Sequence, residues 1–293
     1  MSPPFCSSIV GKLRRLARII RPETGRTLIV PVDDSLIFGP FGGLQNLETA
    51  IRSIADGRPD AILAFHGTLS RFSETLRKTA LINNLTGSTI RSQHTRKVEV
   101  GSVKLALALG ADAIAAHVNV TSRYEREMVR ALAKFVREAE EYGMPVVGIM
   151  YPRREAKAVD NNYLELKQSN RAKYTDLVCH SVRIAVDLGV DLIKTQFTGD
   201  PDTFSRVVEA AHPVPVVIAG GPIVPWDQVL NTAFSAISAG SAGVSFGRNI
   251  FHRRDPAQCI HALRAVVQEG KTPHEALSYC TDASTDTFDL PNS

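Results

Sequence analysis

The sequence predicts an α/β protein folded as a single (βα)8 barrel, with a short helix before the barrel and a polar tail after it. Three observations predict this fold: eight apolar segments recur along the chain, amphipathic segments lie between them, and one type of helix-to-strand junction is repeated. The length of 293 residues fits one barrel of roughly 250 residues as well as two domains of about 150 residues each.

The eight apolar segments are rich in β-branched residues and are predicted as strands. Their apolar residues are nearly continuous rather than alternating, which is typical of parallel strands covered on both faces. Only the third segment is interrupted by a polar pair, Asn83 and Asn84. The segments are Thr27–Val32, Ala61–Phe65, Leu81–Leu85, Ala113–Val118, Pro145–Met150, Asp191–Thr195, Pro215–Ala219 and Gly243–Gly247.

The segments between the strands have helical periodicity, most clearly Ser122–Tyr142, where one apolar stripe faces charged residues. Three of these segments end in a glycine, which suits the left-handed position after a helix. An acidic residue and the next strand follow each of these glycines. Repeated junctions imply repeated βα units, which close into a barrel or, alternatively, form an open doubly wound sheet. The junctions are Gly57 to Asp60, Gly110 to Asp112 and Gly189 to Asp191.

The ends of the chain are predicted as additions to one domain that spans residues 1–293. Residues 1–25 read as a leading helix with a turn at Pro22–Gly25, and residues 271–293 as a polar tail. Because no segment has the composition of a linker, we expect one barrel from about residue 25 to 270.

The composition excludes several classes of protein. Hydrophobic residues make up 44% and charged residues 22%, as in ordinary globular proteins, and the net charge of +4 comes without a dense basic block. Nucleic acid and membrane are therefore not predicted partners, since no apolar stretch reaches the length of a membrane span. The four cysteines, none in CxxC spacing, predict reduced thiols in a cytoplasmic protein. They are Cys6, Cys179, Cys259 and Cys280.

Lys194 is the first candidate for chemistry, because it lies in a strand that is otherwise apolar. Active sites of (βα)8 barrels form at the carboxyl ends of the strands. A lysine buried there is costly as a cation, and its free amine can attack a carbonyl to form a Schiff base. The alternative is a lysine whose amine reaches solvent at the end of the strand.

Three more side chains follow predicted strands. Asp33 and Asp34 come after the first strand and suit proton transfer or hydroxyl binding, although a helix cap or turn is equally compatible with them. Tyr151 directly follows the fifth segment, where a phenol can act as a general acid or simply pack.

Two glycine turns follow the last two strands, where many barrels bind phosphate. Gly220-Gly221 and Gly247-Arg248 would offer backbone N–H groups and a guanidinium to an anion, or else form two tight turns. His66 and His117 also follow strands, but they lack the spacing of metal ligands, so no metal site is predicted.

Eight motifs, taken in order from about residue 21 to 264, resemble the DeoC/LacD-type class I aldolases. Within that family they are most similar to the archaeal-type fructose-bisphosphate aldolases and the 2-amino-3,7-dideoxy-D-threo-hept-6-ulosonate synthases. The motifs are Val30-Pro-Val-Asp33, Leu85-Thr-Gly-Ser-Thr89, His117-Val-Asn-Val120, Met150-Tyr-Pro-Arg153, Ile193-Lys-Thr195, Thr198-Gly-Asp-Pro201, Val217-Ile-Ala-Gly-Gly-Pro222 and Gly247-Arg-Asn-Ile250.

The resemblance implies a homo-oligomeric barrel enzyme that needs no metal or organic cofactor. It implies that Lys194 forms a Schiff base with a phosphorylated ketose or dihydroxyacetone phosphate, which reacts reversibly with an aldehyde. Tyr151 matches the family's proton donor and Asp33 its proton acceptor. The residues that match its phosphate site are Gly220, Gly221, Gly247 and Arg248.

Two departures from the family pattern leave the substrate open. Asp33-Asp34-Ser35 replaces the usual Asp-His-Gly, and Arg154 replaces the glycine after Tyr151-Pro-Arg153. We therefore expect Asp34, Ser35 and Arg153 to contact substrate. A transaldolase-type synthase, or one that condenses dihydroxyacetone phosphate with aspartate semialdehyde, is an alternative. A barrel of another class, which binds a sugar phosphate without aldol chemistry, would keep the glycine turns but not need Lys194.

Overall fold

Eight parallel strands close into a barrel in a computed structural model that describes residues 7–156 and 160–280. All eight predicted strands are confirmed, and the closed sheet excludes the open doubly wound alternative. Two further strands, β4 and β5, pair antiparallel as a separate hairpin. In chain order the ten are β1 Thr27–Pro31, β2 Ala61–Ala64, β3 Ala80–Asn84, β4 Thr86–Gly87, β5 Val98–Glu99, β6 Ala113–Val120, β7 Val146–Pro152, β8 Leu192–Gln196, β9 Val216–Ala219 and β10 Gly243–Ser245.

Helices separate the barrel strands, as expected of a TIM barrel, and a short 3-10 helix covers Gly42–Leu44. In the described residues the α-helices are α1 Ser7–Ile19, α2 Asp34–Phe38, α3 Leu47–Asp56, α4 His66–Arg71, α5 Val103–Ala108, α6 Glu125–Glu141, α7 Leu164–Ser169, α8 Arg171–Leu188, α9 Pro201–Ala211, α10 Trp226–Ser238, α11 Arg248–Phe251, α12 Pro256–Glu269 and α13 Pro273–Leu277.

The predictions for the chain ends are met in part. The leading helix is α1, whereas the predicted polar tail begins with a short helix, α13, whose N-terminus is closed by a capping box of Thr272 and Glu275. The rest of that tail, residues 281–293, and Cys6 lie outside the described residues. No helix in the described part is long and apolar enough to cross a membrane.

One strand boundary differs from the prediction in a way that matters for the site. Strand β7 continues through Pro152, so Tyr151 lies inside the strand rather than after it. Asn83 and Asn84, which the predicted third strand includes as a polar pair, belong to β3, and both are buried. Polar side chains at the end of a strand buried on both faces must point into the barrel mouth or against its rim, and there they become available for chemistry.

The acidic residues of the three helix-to-strand junctions close one end of the barrel, the end where its strands begin, which is called the lower end below. Each accepts a hydrogen bond from a backbone N–H at the start of a neighbouring strand, with N–O distances of 2.8 to 3.0 Å. Each also pairs with a basic side chain in or just after α1, which therefore lies across this end. The sets are Asp60 with Leu28 N and Arg21, Asp112 with Leu81 N and Arg18, and Asp191 with Val146 N and Lys12.

The apolar core has two layers. One lies between the strands and the helices. The other fills the barrel and includes Ile29, Leu63 and Leu192, with Ile19 at the end of α1 packed among them. Because the interior is filled at this lower end, the site is expected toward the carboxyl ends of the strands.

Candidate active site

A cavity of about 640 Å³ opens at the carboxyl ends of the barrel strands. Residues that follow β1, β9 and β10, together with residues of β6, β7 and β8, line it. Its volume is that of a site for a small organic substrate. Nine of the ten residues predicted to form the site line this cavity: Asp33, Asp34, Tyr151, Arg153, Lys194, Gly220, Gly221, Gly247 and Arg248.

Lys194 lies in β8 between Ile149 of β7 and Val217 of β9, and its side chain is in the cavity wall. Only 7% of the residue is exposed, which favours a buried lysine over one that extends into bulk solvent. In the described residues, none of the ion pairs or hydrogen bonds involves its amine. A buried amine that faces an open cavity is placed to attack a carbonyl carbon.

Asp33 occupies the cap position before α2, yet its side chain makes no cap hydrogen bond. The carboxylate instead accepts a hydrogen bond from the side-chain amide of Asn84, at 2.8 Å. Burial raises the pKa of Asp33, while the nearby Lys194 cation and the Asn84 amide oppose that rise. A carboxylate with a raised pKa is a stronger base than one in water, which suits a proton acceptor.

Tyr151 lies in β7 opposite Asn119 of β6 and is buried. Its ring meets the His117 ring edge-on, with 4.9 Å between the ring centroids, and the Arg153 guanidinium lies 5.5 Å from its centroid. Burial raises the pKa of the phenol, against the opposing effects of Lys194 and Arg153. The phenol is therefore protonated at neutral pH and can donate a proton.

The two glycine turns lie side by side because β9 and β10 are neighbouring strands. Asn249 joins them: its amide nitrogen donates to the carbonyls of Gly220 and Pro222, at 3.0 and 2.9 Å. In the described residues, no hydrogen bond uses the backbone N–H groups of Gly220, Gly221 or Gly247. These N–H groups can bind the oxygens of an anion.

Arg248 follows the second glycine turn and pairs with Asp34, with 3.3 Å between Nε and Oδ2. Asp34 was predicted to contact substrate, but in this structure its carboxylate contacts the arginine of the glycine turn. Ser35 lies in α2 and is not among the residues that line the cavity. Its contact with substrate stays a prediction.

One part of the site was missed by the sequence analysis. The chain between β3 and α5 forms the hairpin of β4 and β5 and carries His94 and Lys97 into the cavity wall. Thr95 holds this segment in place, since its carbonyl accepts from Asn119 and its hydroxyl donates to Glu155. The unusual length of the connection after β3 could have identified it, because long loops at this face of a barrel carry function.

Comparison with known families matches residues 27–253 to the DeoC/LacD family aldolase. The chain belongs to this family. The match spans every strand of the barrel, from β1 to β10, and both glycine turns of the cavity.

Curated relatives extend the match to nearly the whole chain. The chain is 34% identical to a 2-amino-3,7-dideoxy-D-threo-hept-6-ulosonate synthase of Halobacterium salinarum, over 92% of this chain and 96% of that protein. It is 32% identical to a 2-amino-4,5-dihydroxy-6-oxo-7-(phosphonooxy)heptanoate synthase of Streptomyces griseus, over 92% and 93% of the two chains.

Solved structures give the same assignment. An archaeal fructose 1,6-bisphosphate aldolase is 28% identical, with a TM-score of 0.76 over 88% of this chain and 100% of that chain. A Schiff-base-forming fructose-1,6-bisphosphate aldolase is 29% identical, with a TM-score of 0.76 over 87% and 99%. The family member described here is thus an enzyme of the Schiff-base-forming, class I aldolase type.

Proposed function

We propose that this aldolase joins dihydroxyacetone phosphate, or the equivalent part of a phosphorylated ketose, to an aldehyde through a Schiff base on Lys194. The observation that carries the proposal is one cavity that Lys194, Asp33 and Tyr151 all line. The N–H groups of the two glycine turns line the same cavity and suit the phosphate of such a donor.

The reaction begins when the donor phosphate binds at Gly220-Gly221 and Gly247-Arg248, which places the ketone near Lys194. The amine adds to the carbonyl carbon, and loss of water gives an iminium ion. This cation is an electron sink, so the neighbouring carbon loses a proton and an enamine forms.

The enamine carbon then attacks the aldehyde, and a new C–C bond forms as the aldehyde oxygen takes a proton. Asp33 accepts the proton from carbon and Tyr151 donates the proton to oxygen. Addition of water to the resulting iminium releases the product and restores the Lys194 amine. The same steps in reverse cleave the C–C bond.

The test is reduction with borohydride in the presence of dihydroxyacetone phosphate, followed by peptide mass mapping. We expect one adduct, on Lys194, and none in Lys194→Met. Lys97 is the informative competitor, since burial and the nearby Arg153 charge lower its pKa to about 7 and leave part of it as free amine. An adduct on Lys97, or none at all, would contradict the proposal.

The same experiment distinguishes an aldolase from a barrel that binds a sugar phosphate without aldol chemistry. A barrel that only binds or isomerises a sugar phosphate would retain dihydroxyacetone phosphate without a borohydride adduct. Full activity after treatment with EDTA checks the prediction that no metal takes part. Light scattering of the purified chain checks the prediction of a homo-oligomer.

A further inference from the structure

Two cysteines outside the active-site cavity lie in contact with each other. Cys259 is in the first turn of α12, and Cys280 follows the end of α13 by three residues. Their Sγ atoms are 3.4 Å apart although the residues are 21 positions apart in the sequence, and both side chains are buried. Neither residue lines the cavity, so the proposed reaction leaves this pair of thiols without a role.

The two sulfur atoms are close to the separation of a disulfide bond. A disulfide holds its sulfur atoms about 2.05 Å apart, so these two would have to approach by about 1.4 Å. Cys280 belongs to the short segment that follows the five-residue helix α13, which packs against α10 and α12. A small shift of this segment, with rotation of the two side chains, brings the sulfur atoms to bonding distance.

The segment that carries Cys280 has few buried side chains. Of residues 271–280 only Ala276 and Cys280 are buried, whereas Leu277 and Tyr279 are 38% and 39% exposed. A segment with so few buried contacts opens at a low cost in free energy while the rest of the protein stays folded. Such an opening exposes the Cys280 thiol to solvent and uncovers Cys259, which otherwise is fully buried.

A positive charge beside the pair favours thiol chemistry. The Arg253 guanidinium is close enough for its charge to act on both cysteines. A nearby cation stabilises a thiolate, which is the form that attacks a disulfide. The hydrogen bond with Cys280, together with burial, raises the pKa of Cys259, so Cys259 keeps its proton in the closed structure. The first attack is therefore assigned to Cys280 in the opened segment.

We propose that Cys259 and Cys280 form a reversible disulfide, which locks residues 271–280 onto α12 when the protein meets a small-molecule disulfide such as oxidised glutathione. The pair is thus a modification site away from the catalytic residues, and the assignment does not depend on the proposed function. Of the four cysteines predicted to be reduced thiols, these two respond to an oxidant.

The disulfide forms in two exchange steps. The Cys280 thiolate attacks one sulfur of oxidised glutathione, whose S–S bond breaks and releases a first glutathione thiolate. When the segment closes again, Cys259 gives its proton to solvent and attacks the Cys280 sulfur, which releases a second glutathione thiolate. The protein loses two electrons and two protons, and the oxidant is reduced to two thiols.

The test is incubation of the reduced protein with oxidised glutathione at mildly alkaline pH, followed by alkylation and peptide mapping without reduction. The four cysteines lie in four different tryptic peptides. We expect the peptides Asp255–Arg264 and Thr272–Ser293 to be joined, and the peptides of Cys6 and Cys179 not to be joined to any other. Dithiothreitol should separate the joined peptides.

The lock also predicts a change in thermal stability. A disulfide that closes a loop of about 20 residues restricts the unfolded chain, so the Tm of the oxidised protein should be higher by about 3–6 °C. In Cys280→Ser the oxidant should produce neither the joined peptides nor the rise in Tm. Cys179→Ser is the matched control, since Cys179 is a partly buried cysteine of α8, and it should retain both.

Three results of the mapping would overturn the assignment: peptides that stay separate, glutathione that remains on Cys280 without closure, or a bond between two molecules on a non-reducing gel. A joined pair with an unchanged or lower Tm would overturn the lock. Because the mapping uses the unmodified protein, it decides the assignment even if Cys280→Ser does not fold.

Discussion

Asn84 of β3 donates a hydrogen bond from its side-chain amide to the carboxylate of Asp33, with 2.8 Å between Nδ2 and Oδ2. The orientation of this amide is fixed, because its oxygen accepts from the backbone N–H of Thr86 at 3.1 Å. The carboxylate proposed as proton acceptor is thus positioned by a side chain from a strand two places away in the barrel. Burial and the Asp34 charge raise the pKa of Asp33, whereas Lys194 and this amide lower it.

Replacement of Asn84 should therefore change the pH dependence of the reaction. In Asn84→Leu the opposing hydrogen bond is lost and the pKa of Asp33 rises further. Since Asp33 acts as a base in its ionised form, the acidic limb of the kcat/KM profile should move to higher pH. We expect kcat to fall about tenfold, which is within the range for one charge-assisted hydrogen bond.

The matched control is Asn231→Leu, at an exposed position of α10 whose amide donates only to the carbonyl of Asp227. It should leave the pH profile unchanged. An unchanged acidic limb in Asn84→Leu, with the protein folded by circular dichroism, would show that Asn84 does not position the titrating group.

Tyr151→Phe should separate formation of the Schiff base from the later proton transfer. The change removes only the phenol oxygen and keeps the ring that packs against His117. We expect kcat to fall by about 100-fold or more, since general acids contribute roughly that much, while borohydride trapping on Lys194 is retained. The measurements are steady-state kinetics and mass mapping, with Tyr142→Phe as control. A Tyr151→Phe enzyme with normal kcat would exclude the phenol as proton donor.

The fold could be predicted from the sequence because its signals are local. Each barrel strand is a mostly apolar run of three to eight residues, and the repeated junctions at Asp60, Asp112 and Asp191 mark where strands begin. The main error in the strands has the same origin. Tyr151 at the carboxyl end of β7 does not continue the apolar run, although the strand continues through it.

The site could be predicted only where its residues lie in strands or follow them directly. Lys194 and the two glycine turns meet this condition, and the barrel brings them into one cavity. Lys97 does not, because its place depends on an antiparallel hairpin and on a contact between Thr95 and the distant Glu155. Neither feature has a sequence pattern of its own, and only the length of the connection after β3 points to this segment.

Arg248→Gln should weaken binding of the donor phosphate. Loss of one charge-assisted contact to phosphate predicts a rise in KM for dihydroxyacetone phosphate of about 10- to 100-fold. Asp34→Asn should act in the opposite direction, because it releases Arg248 from the ion pair at 3.3 Å. Arg206→Gln, which breaks a pair with Asp176 on the exposed helix surface, is the control and should not change KM. A higher KM for the acceptor rather than the donor in Asp34→Asn would instead support the predicted contact of Asp34 with substrate.

The closure of the lower end of the barrel by α1 predicts an order of stability losses. In Asp112→Ala the backbone N–H of Leu81 loses its acceptor and Arg18 loses its partner, so we expect a loss of about 1–3 kcal/mol in the free energy of unfolding. Arg18→Ala should cost less, about 0–1 kcal/mol, because half of its side chain is exposed and the ion pair is screened by solvent. Urea denaturation measures both, with Asp187→Ala at an exposed position of α8 as control. Equal losses in Asp112→Ala and Arg18→Ala would mean that the ion pair with α1, and not the hydrogen bond to β3, stabilises this end of the barrel.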